Sequence, residues 1–134
     1  MFLVDTSVWI EVFRRRIPLS LEDFIDFDEI VTCWPVIQEV LQGFRDERAY
    51  ALAREAMISL PIVESPLGPR VFEDAVRLYR DARRKGFTIR SGVDCLIAAC
   101  ALRNDLGVLH LDRDFEKLAR VSALRVTDIR SRRS

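Results

Sequence analysis

The sequence predicts an α/β fold built on a central parallel sheet, and three observations point to it. Short apolar runs recur at Phe2-Leu3-Val4, Ile30-Val31-Thr32-Cys33, Pro61-Ile62-Val63 and Val108-Leu109-His110-Leu111. Stretches with apolar residues at helical spacing lie between them. Strands that alternate with helices in this way belong to parallel sheets. The chain has 134 residues, 49% of them apolar and 31% charged. That is one domain's worth of chain, 1–134, able to bury roughly two thirds of its unfolded surface without disulfides or metal staples. The apolar fraction excludes disorder. No apolar run approaches the ~18 residues of a membrane span.

Each element has its own signal. Phe2-Leu3-Val4 ends at Asp5 and reads as a buried strand. Thr6-Ser7 supplies N-cap chemistry for a helix through Val8, Trp9, Val12 and Phe13, with Arg14-Arg15-Arg16 as its basic end. Ile17-Pro18 breaks that helix, and Ser20-Leu21-Glu22-Asp23 opens a short amphipathic one. After the second strand, Pro35 starts a helix carrying Val36, Ile37, Val40, Leu41 and Phe44. A further helix is expected over 47–59, with Leu52, Ala53, Ala56 and Met57 inward. Pro61-Ile62-Val63 is a short third strand, and Pro66, Gly68 and Pro69 mark a loop. Val71, Phe72, Ala75, Val76, Tyr79 and Ala82 define a long helix closed by Arg83-Arg84-Lys85 and Gly86. Ser91 to Asp105 is another helix, with Val93, Leu96, Ile97 and Cys100 inward and Gly107 as its stop. Phe115, Leu118 and Ala119 mark the final helix. Leu124-Arg125-Val126 reads as a weak last strand, and the tail from about 130 is expected to fray.

Lys plus Arg equals Asp plus Glu at 21 each, so net charge names no partner. The distribution is uneven: residues 1–47 carry 10 acids and 4 bases, and the rest of the chain is correspondingly basic. An acidic pocket beside a basic rim is one outcome of such a split. The three cysteines, Cys33, Cys95 and Cys100, form no metal-binding spacing and are expected to be reduced, buried and inert in a cytoplasmic protein. The single histidine, His110, excludes multi-His zinc sites and argues against a Ser-His-Asp triad.

The acids carry the chemical signal. Asp5 ends the first strand, the edge where open parallel sheets bind ligands, and is a site candidate; its other role would be to cap the following helix, which Thr6 and Ser7 can already do. Glu39 lies off its helix's apolar stripe, facing a cleft or solvent, and Gly43 leaves space one turn later. Asp94 fits a capping box with Ser91, and the helix dipole favours an acid there. Asp112 ends the fourth strand as Asp5 ends the first, and Asp114 reads best as a first-turn helix acid. Carboxylates converging on one sheet edge repel one another unless a cation is present. Hard divalent cations suit such an all-oxygen set, and Mg²⁺ in particular suits phosphate chemistry.

The opening Phe2-Leu3-Val4-Asp5-Thr6-Ser7-Val8-Trp9-Ile10-Glu11 resembles the start of PIN-domain ribonucleases, especially VapC toxins of type II toxin–antitoxin pairs. The resemblance continues at Glu39, at Asp94-Cys95-Leu96-Ile97-Ala98-Ala99 and at Leu111-Asp112-Arg113-Asp114-Phe115, so it spans essentially the whole chain. It implies a PIN-like α/β/α sandwich with four to five parallel strands. It implies a Mg²⁺-dependent endoribonuclease, with Mn²⁺ as a substitute, that hydrolyses RNA phosphodiester bonds. Asp5, Glu39, Asp94 and Asp112 would form the acidic quartet, with Asp5 and Asp94 as direct metal ligands. Thr6 or Ser7 would orient a carboxylate or water, and Asp114 is the alternative fourth acid. The resemblance also implies a homodimer and a cognate antitoxin whose tail crosses the active-site groove, with Trp9, Phe13 and Phe24 as candidate contacts. Arg14 to Arg16, Arg83 to Lys85 and Arg113 are candidates for RNA phosphates, and Trp9 and Trp34 for base stacking.

Three other readings compete. A haloacid-dehalogenase-like phosphatase needs a second Asp two residues after Asp5, where this chain has Ser7. A receiver domain needs an acidic pair after the first strand and a late catalytic lysine, whereas Lys117 falls inside the last helix. A catalytically silent PIN-like module that binds RNA or protein is the alternative from a different functional class.

Overall fold

The computed structural model describes residues 1–14 and 16–132, the last of these by its backbone alone. Arg15 of the basic run and the end of the tail, 133–134, lie outside the described residues. The sheet has four strands: β1 (Phe2–Val4), β2 (Ile30–Val31), β3 (Gly107–His110) and β4 (Val126–Asp128). Their order is β2-β1-β3-β4, and every pairing is parallel. Leu3 sits at the centre, opposite Val31 on one side and Val108 on the other. The chain steps outward from β1 to β2, then returns to the far side of β1 for β3. Such a reversal opens a crevice at the carboxyl ends of the strands.

Among the described residues six α-helices surround the sheet: α1 (Thr6–Val12), α2 (Trp34–Gln42), α3 (Glu47–Ile58), α4 (Pro69–Arg84), α5 (Gly92–Arg103) and α6 (Asp114–Arg120). The architecture is the expected PIN-like α/β/α arrangement. α5 is the central helix; Ile97, Ala98, Ala99, Cys100 and Ala101 are all fully buried. Its small residues let neighbours approach closely, and α4 and α2 both pack on it. Cys33 shares a hydrogen bond with Cys100, and this, with burial, pushes its thiol up. All three thiols are free and buried, as an inert role requires. No helix among the described residues is long and apolar enough to cross a membrane.

Several local expectations are corrected. Ile62 joins Thr32 by one isolated bridge, so Pro61-Val63 is no full strand and the sheet stays at four. The last strand begins at Val126; Leu124 packs into the core from the preceding loop. α1 ends at Val12 with its C-cap at Phe13, so Arg14 and Arg16 follow the helix instead of closing it. The segment at Ser20 is a single 3-10 turn, Leu21–Asp23. On α3 only Ala53 and Met57 turn inward, while Leu52 and Ala56 are exposed, because one shallow contact stripe suffices for a peripheral helix. Gly107 is the first residue of β3; α5 is stopped earlier, with Asp105 in the left-handed region at φ 53°. Pro69 is not loop but starts α4.

Gly86 does what was expected of it. It follows α4 at φ 84°, and Phe87 N–H returns to the Ala82 carbonyl at 2.9 Å. A Cβ at Gly86 would meet nothing within 4 Å, so the penalty for Gly86→Ala is purely backbone. The substitution is expected to lower stability by about 1 kcal/mol, read by thermal or urea melting.

Candidate active site

Asp5 leaves β1 at its carboxyl end, with its N–H still in the ladder to the Leu109 carbonyl at 2.9 Å. Its Oδ2 accepts from the Ser7 N–H at 3.0 Å and the Ser7 hydroxyl at 2.6 Å. Asp5 is therefore the N-cap of α1, a task that the sequence had assigned to Thr6 or Ser7. Those two residues serve the acids instead. Ser7 Oγ also accepts from the Leu111 N–H at 3.0 Å, which fixes the β1–α1 junction to the end of β3. Thr6 Oγ1 donates to Glu39 Oε1 at 2.8 Å and so holds the α2 carboxylate toward the crevice.

Asp94 occupies the first turn of α5. Ser91 caps that helix, its Oγ accepting from the Val93 N–H at 3.2 Å. No hydrogen bond among the described residues reaches the Asp94 carboxylate, so the reciprocal half of the capping box does not form. Asp112 follows β3. Its Oδ1 accepts from the Asp114 N–H at 3.0 Å and from Arg90 Nη2 at 2.8 Å. Its own N–H donates to His110 Nδ1 at 3.2 Å. Accepting there places the imidazole proton on Nε2, which lies 2.7 Å from Glu116 Oε2 and donates to it. Buried His110 thus holds the backbone of the Asp112 turn.

Asp5, Glu39, Asp94 and Asp112 line one cavity of about 330 Å³, with Thr6, Ser7, Ile10, Arg90 and Ser91. The four predicted acids and both predicted hydroxyls thus converge. Asp114 stands at the edge of this group. One oxygen each from Asp94, Asp112 and Asp114 lies within 4.8 Å of the others. Yet Asp114 is buried, and both its oxygens are occupied by the Arg90 N–H at 2.9 Å and by Lys117 Nζ at 3.1 Å. Burial acts to raise its pKa, but these hydrogen bonds and the Lys117 and Arg90 charges prevail and hold it below the usual value.

Asp94 has the opposite environment. Burial, then the charges of Asp5, Asp112, Glu39 and Asp114, push its carboxyl up to about 8. Asp5 is also raised, first by burial and further by Glu39, with the Ser7 hydrogen bonds opposing. Its Oδ1 is buried without a hydrogen-bond partner among the described residues. An orphaned buried oxygen, an unbonded buried carboxylate and an all-oxygen donor set are what a hard divalent cation requires. The residues present fit such an ion.

Sequence reasoning missed Arg90 and undervalued Lys117. Arg90 lies in a loop, where periodicity says nothing; its one signal was adjacency to the Ser91 cap. Lys117 follows Asp114 by three residues, one helical turn, and that spacing was legible. Among the described residues, none of the basic residues that were singled out lines the cavity. Arg14 pairs with Glu11 at 2.8 Å, Arg84 with Asp81 at 3.4 Å, and Arg83 lies over the Tyr79 ring at 5.0 Å. Trp9 is buried against Phe13, while Phe13 and Phe24 are half-buried. Trp34 is exposed, its Nε1 donating to Ser65 Oγ at 2.9 Å.

The PIN-domain sequence profile matches residues 2–121. The chain belongs to the PIN-domain family. It is 34% identical over 137 aligned positions to a VapC ribonuclease of Mycobacterium bovis and to ribonuclease VapC11 of Mycobacterium tuberculosis. Each alignment covers 97% of this chain and all of the relative. Among solved structures, VapBC2 from Rickettsia felis, bound to a promoter DNA fragment, superposes with a TM-score of 0.75 at 16% identity, covering 94% of this chain and 96% of that one. FitAcB from Neisseria gonorrhoeae gives 0.73 at 17%, covering 96% and 98%. These likenesses show the PIN fold, and the acidic cavity lies at the carboxyl edge of its sheet.

Proposed function

We propose that this PIN-domain protein is a Mg²⁺-dependent endoribonuclease and the toxin of a toxin–antitoxin pair, with Mn²⁺ able to replace Mg²⁺. The observation that supports it most is the convergence of Asp5, Glu39, Asp94 and Asp112 on one cavity, with Asp5 Oδ1 buried and unpartnered among the described residues. The 34% identity to proteins named VapC ribonucleases supports the substrate class. Asp5 and Asp94 would hold the ion, with Glu39 and Asp112 completing the set. A bound divalent cation would lower the pKa of water and neutralise charge on the phosphodiester oxygens. Ser7 orients Asp5, Thr6 orients Glu39, and His110 fixes the turn that presents Asp112.

The antitoxin partner belongs to the same reading. Solved structures of the same fold include a toxin–antitoxin complex from Klebsiella pneumoniae and VapBC-5, a member of the VapBC family of toxin–antitoxin systems, from Mycobacterium tuberculosis. A second cleft, about 620 Å³, is lined by Ile10, Leu19, Phe24 and Leu111 and shares Ser7 and Ile10 with the acidic cavity. A peptide crossing the acids would pass directly into it. We extend the reading to a homodimer and a cytoplasmic setting; Phe72 and Val76 of α4 are apolar and exposed.

The test is incubation of antitoxin-free protein with total bacterial RNA in Mg²⁺, Mn²⁺ or EDTA. Discrete cuts that need the cation are expected; metal binding without any cleavage would favour the silent RNA- or protein-binding module. A paired substitution separates the two late acids. Asp112→Asn is expected to reduce cleavage at least 100-fold, on the scale of losing one preorganised electrostatic group, with melting close to wild type. Asp114→Asn is expected to destabilise by about 1–3 kcal/mol, because it breaks a buried, fully bonded carboxylate. A reversal of the two phenotypes would move the fourth acid to Asp114.

A further inference from the structure

The acidic cavity has one feature that the reading above does not use. Among the described residues that line it, Arg90 is the one cation. Its root is fixed, because its backbone N–H donates to buried Asp114 at 2.9 Å. Its head is exposed to solvent over 70% of the side chain. That head lies 2.8 Å from Asp112 Oδ1 and, through Nε, 3.4 Å from Asp114 Oδ2. The guanidinium therefore occupies a carboxylate oxygen that belongs to the candidate metal set. Asp114 has Lys117 as a second cation at 3.1 Å, whereas Asp112 has Arg90 alone among the described residues.

A cavity bounded by Asp5, Glu39, Asp94 and Asp112 repels a polyanion. An RNA backbone needs positive charge at the rim, and a guanidinium offers paired donors that match a phosphate. We propose that Arg90 exchanges partners: it pairs with Asp112 while the site lacks a cation, and it grips an RNA backbone phosphate once a divalent cation takes that carboxylate. The phosphate half of this rests on the nuclease reading; the competition with metal does not. Arg90 is then both a brake on metal entry and a substrate-binding residue. The exchange keeps Asp112 paired with a cation before and after metal entry and gives the incoming phosphate a cation of its own.

Two measurements test it on the full chain, each with Arg90→Gln and Arg90→Lys. Both variants keep the backbone N–H that anchors Asp114, and thermal melting checks their folding. The first measurement is Mn²⁺ titration without RNA, followed by calorimetry. Arg90→Gln is expected to bind Mn²⁺ at least threefold more tightly, with Arg90→Lys between it and wild type. The second is cleavage of total bacterial RNA at varied RNA and salt concentration. Arg90→Gln is expected to lose at least tenfold in kcat/KM, carried by KM, with a log–log salt slope shallower by about one. Arg90→Lys is expected to regain part of the KM. Unchanged Mn²⁺ affinity in Arg90→Gln overturns the competition. Unchanged KM and salt slope overturn the phosphate contact, while the nuclease reading stands. If wild-type protein binds Mn²⁺ but cuts no RNA, the nuclease reading and the phosphate contact fall together, and tighter Mn²⁺ binding in the variant still establishes the exchange with metal.

Discussion

Asp94→Asn is expected to abolish RNA cleavage and, in the same protein, to stabilise the metal-free fold. The two effects have one cause. Asp94 is buried in the first turn of α5, takes no hydrogen bond among the described residues and faces the charges of Asp5, Asp112, Glu39 and Asp114. Its carboxyl is pushed up to about 8 by burial first and by those neighbours second. An amide of the same shape removes both penalties and one anionic metal ligand. Cleavage should fall by at least about 10²–10³, the scale of losing a key electrostatic group. Melting in EDTA at pH 8 should rise by the equivalent of roughly 1–2 kcal/mol, a discounted share of the ~1.4 kcal/mol that each pKa unit represents. Function held at the expense of stability is common at active sites. A structural acid behaves oppositely, as Asp114→Asn should show by melting earlier. An Asp94→Asn protein that melts below wild type, or that still cleaves within tenfold of it, would remove Asp94 from the centre of the site.

The acids were legible because their positions are fixed by elements with strong local signals. Phe2-Leu3-Val4 and Val108-Leu109-His110 read as buried strands, which placed Asp5 and Asp112 at equivalent strand ends, and the sheet brings those ends to one edge. Asp94 followed from the Ser91 cap. Glu39 was harder, since its helical phase alone favoured a solvated position; the Thr6 hydroxyl ties it to the crevice across 33 residues of sequence. The resemblance to PIN domains tied these positions together before any geometry was known, and the four-stranded parallel sheet agrees with it. What sequence could not supply were pairings without a period. Arg90 reaches Asp112 across 22 residues, and Ser7 reaches the Leu111 N–H across 104. Capping was misassigned for a related reason. Three adjacent residues, Asp5, Thr6 and Ser7, all carry acceptors, and only the tertiary partners of Thr6 and Ser7 show which one remains to cap α1. The Asp112 and Asp114 alternatives likewise part on their surroundings: Lys117 and the Arg90 backbone saturate Asp114, while Asp112 faces the cavity.

In EDTA the protein is expected to lose stability as pH rises from about 4 toward 8, and a divalent cation is expected to reverse that loss. Asp94 has an ordinary value of 3.8 and a folded value of about 8, and Asp5 is shifted in the same direction. Between those values the unfolded chain has released its Asp94 proton and the native state retains it. The native state binds more protons, so stability falls with pH throughout that window, by at most about 1.4 kcal/mol per pH unit for one group, and levels off above it. Asp114, Glu64 and Asp128 are shifted downward, so their contribution is present above the ordinary carboxylate range and is lost only on acidification below it. They therefore do not offset the loss between pH 5 and 8. A cation that ligates Asp94 must displace its retained proton, so its affinity grows with pH. Thermal melts at pH 5, 6, 7 and 8 read both halves at once. The EDTA midpoint should decline steadily, the Mn²⁺ midpoint should stay nearly level, and the gap should widen toward pH 8. Asp94→Asn should flatten the EDTA series and shrink the gap. An EDTA midpoint that rises over this range, or a cation effect equal at pH 5 and pH 8, would mean that Asp94 is not the buried, proton-retaining acid at the centre of the site.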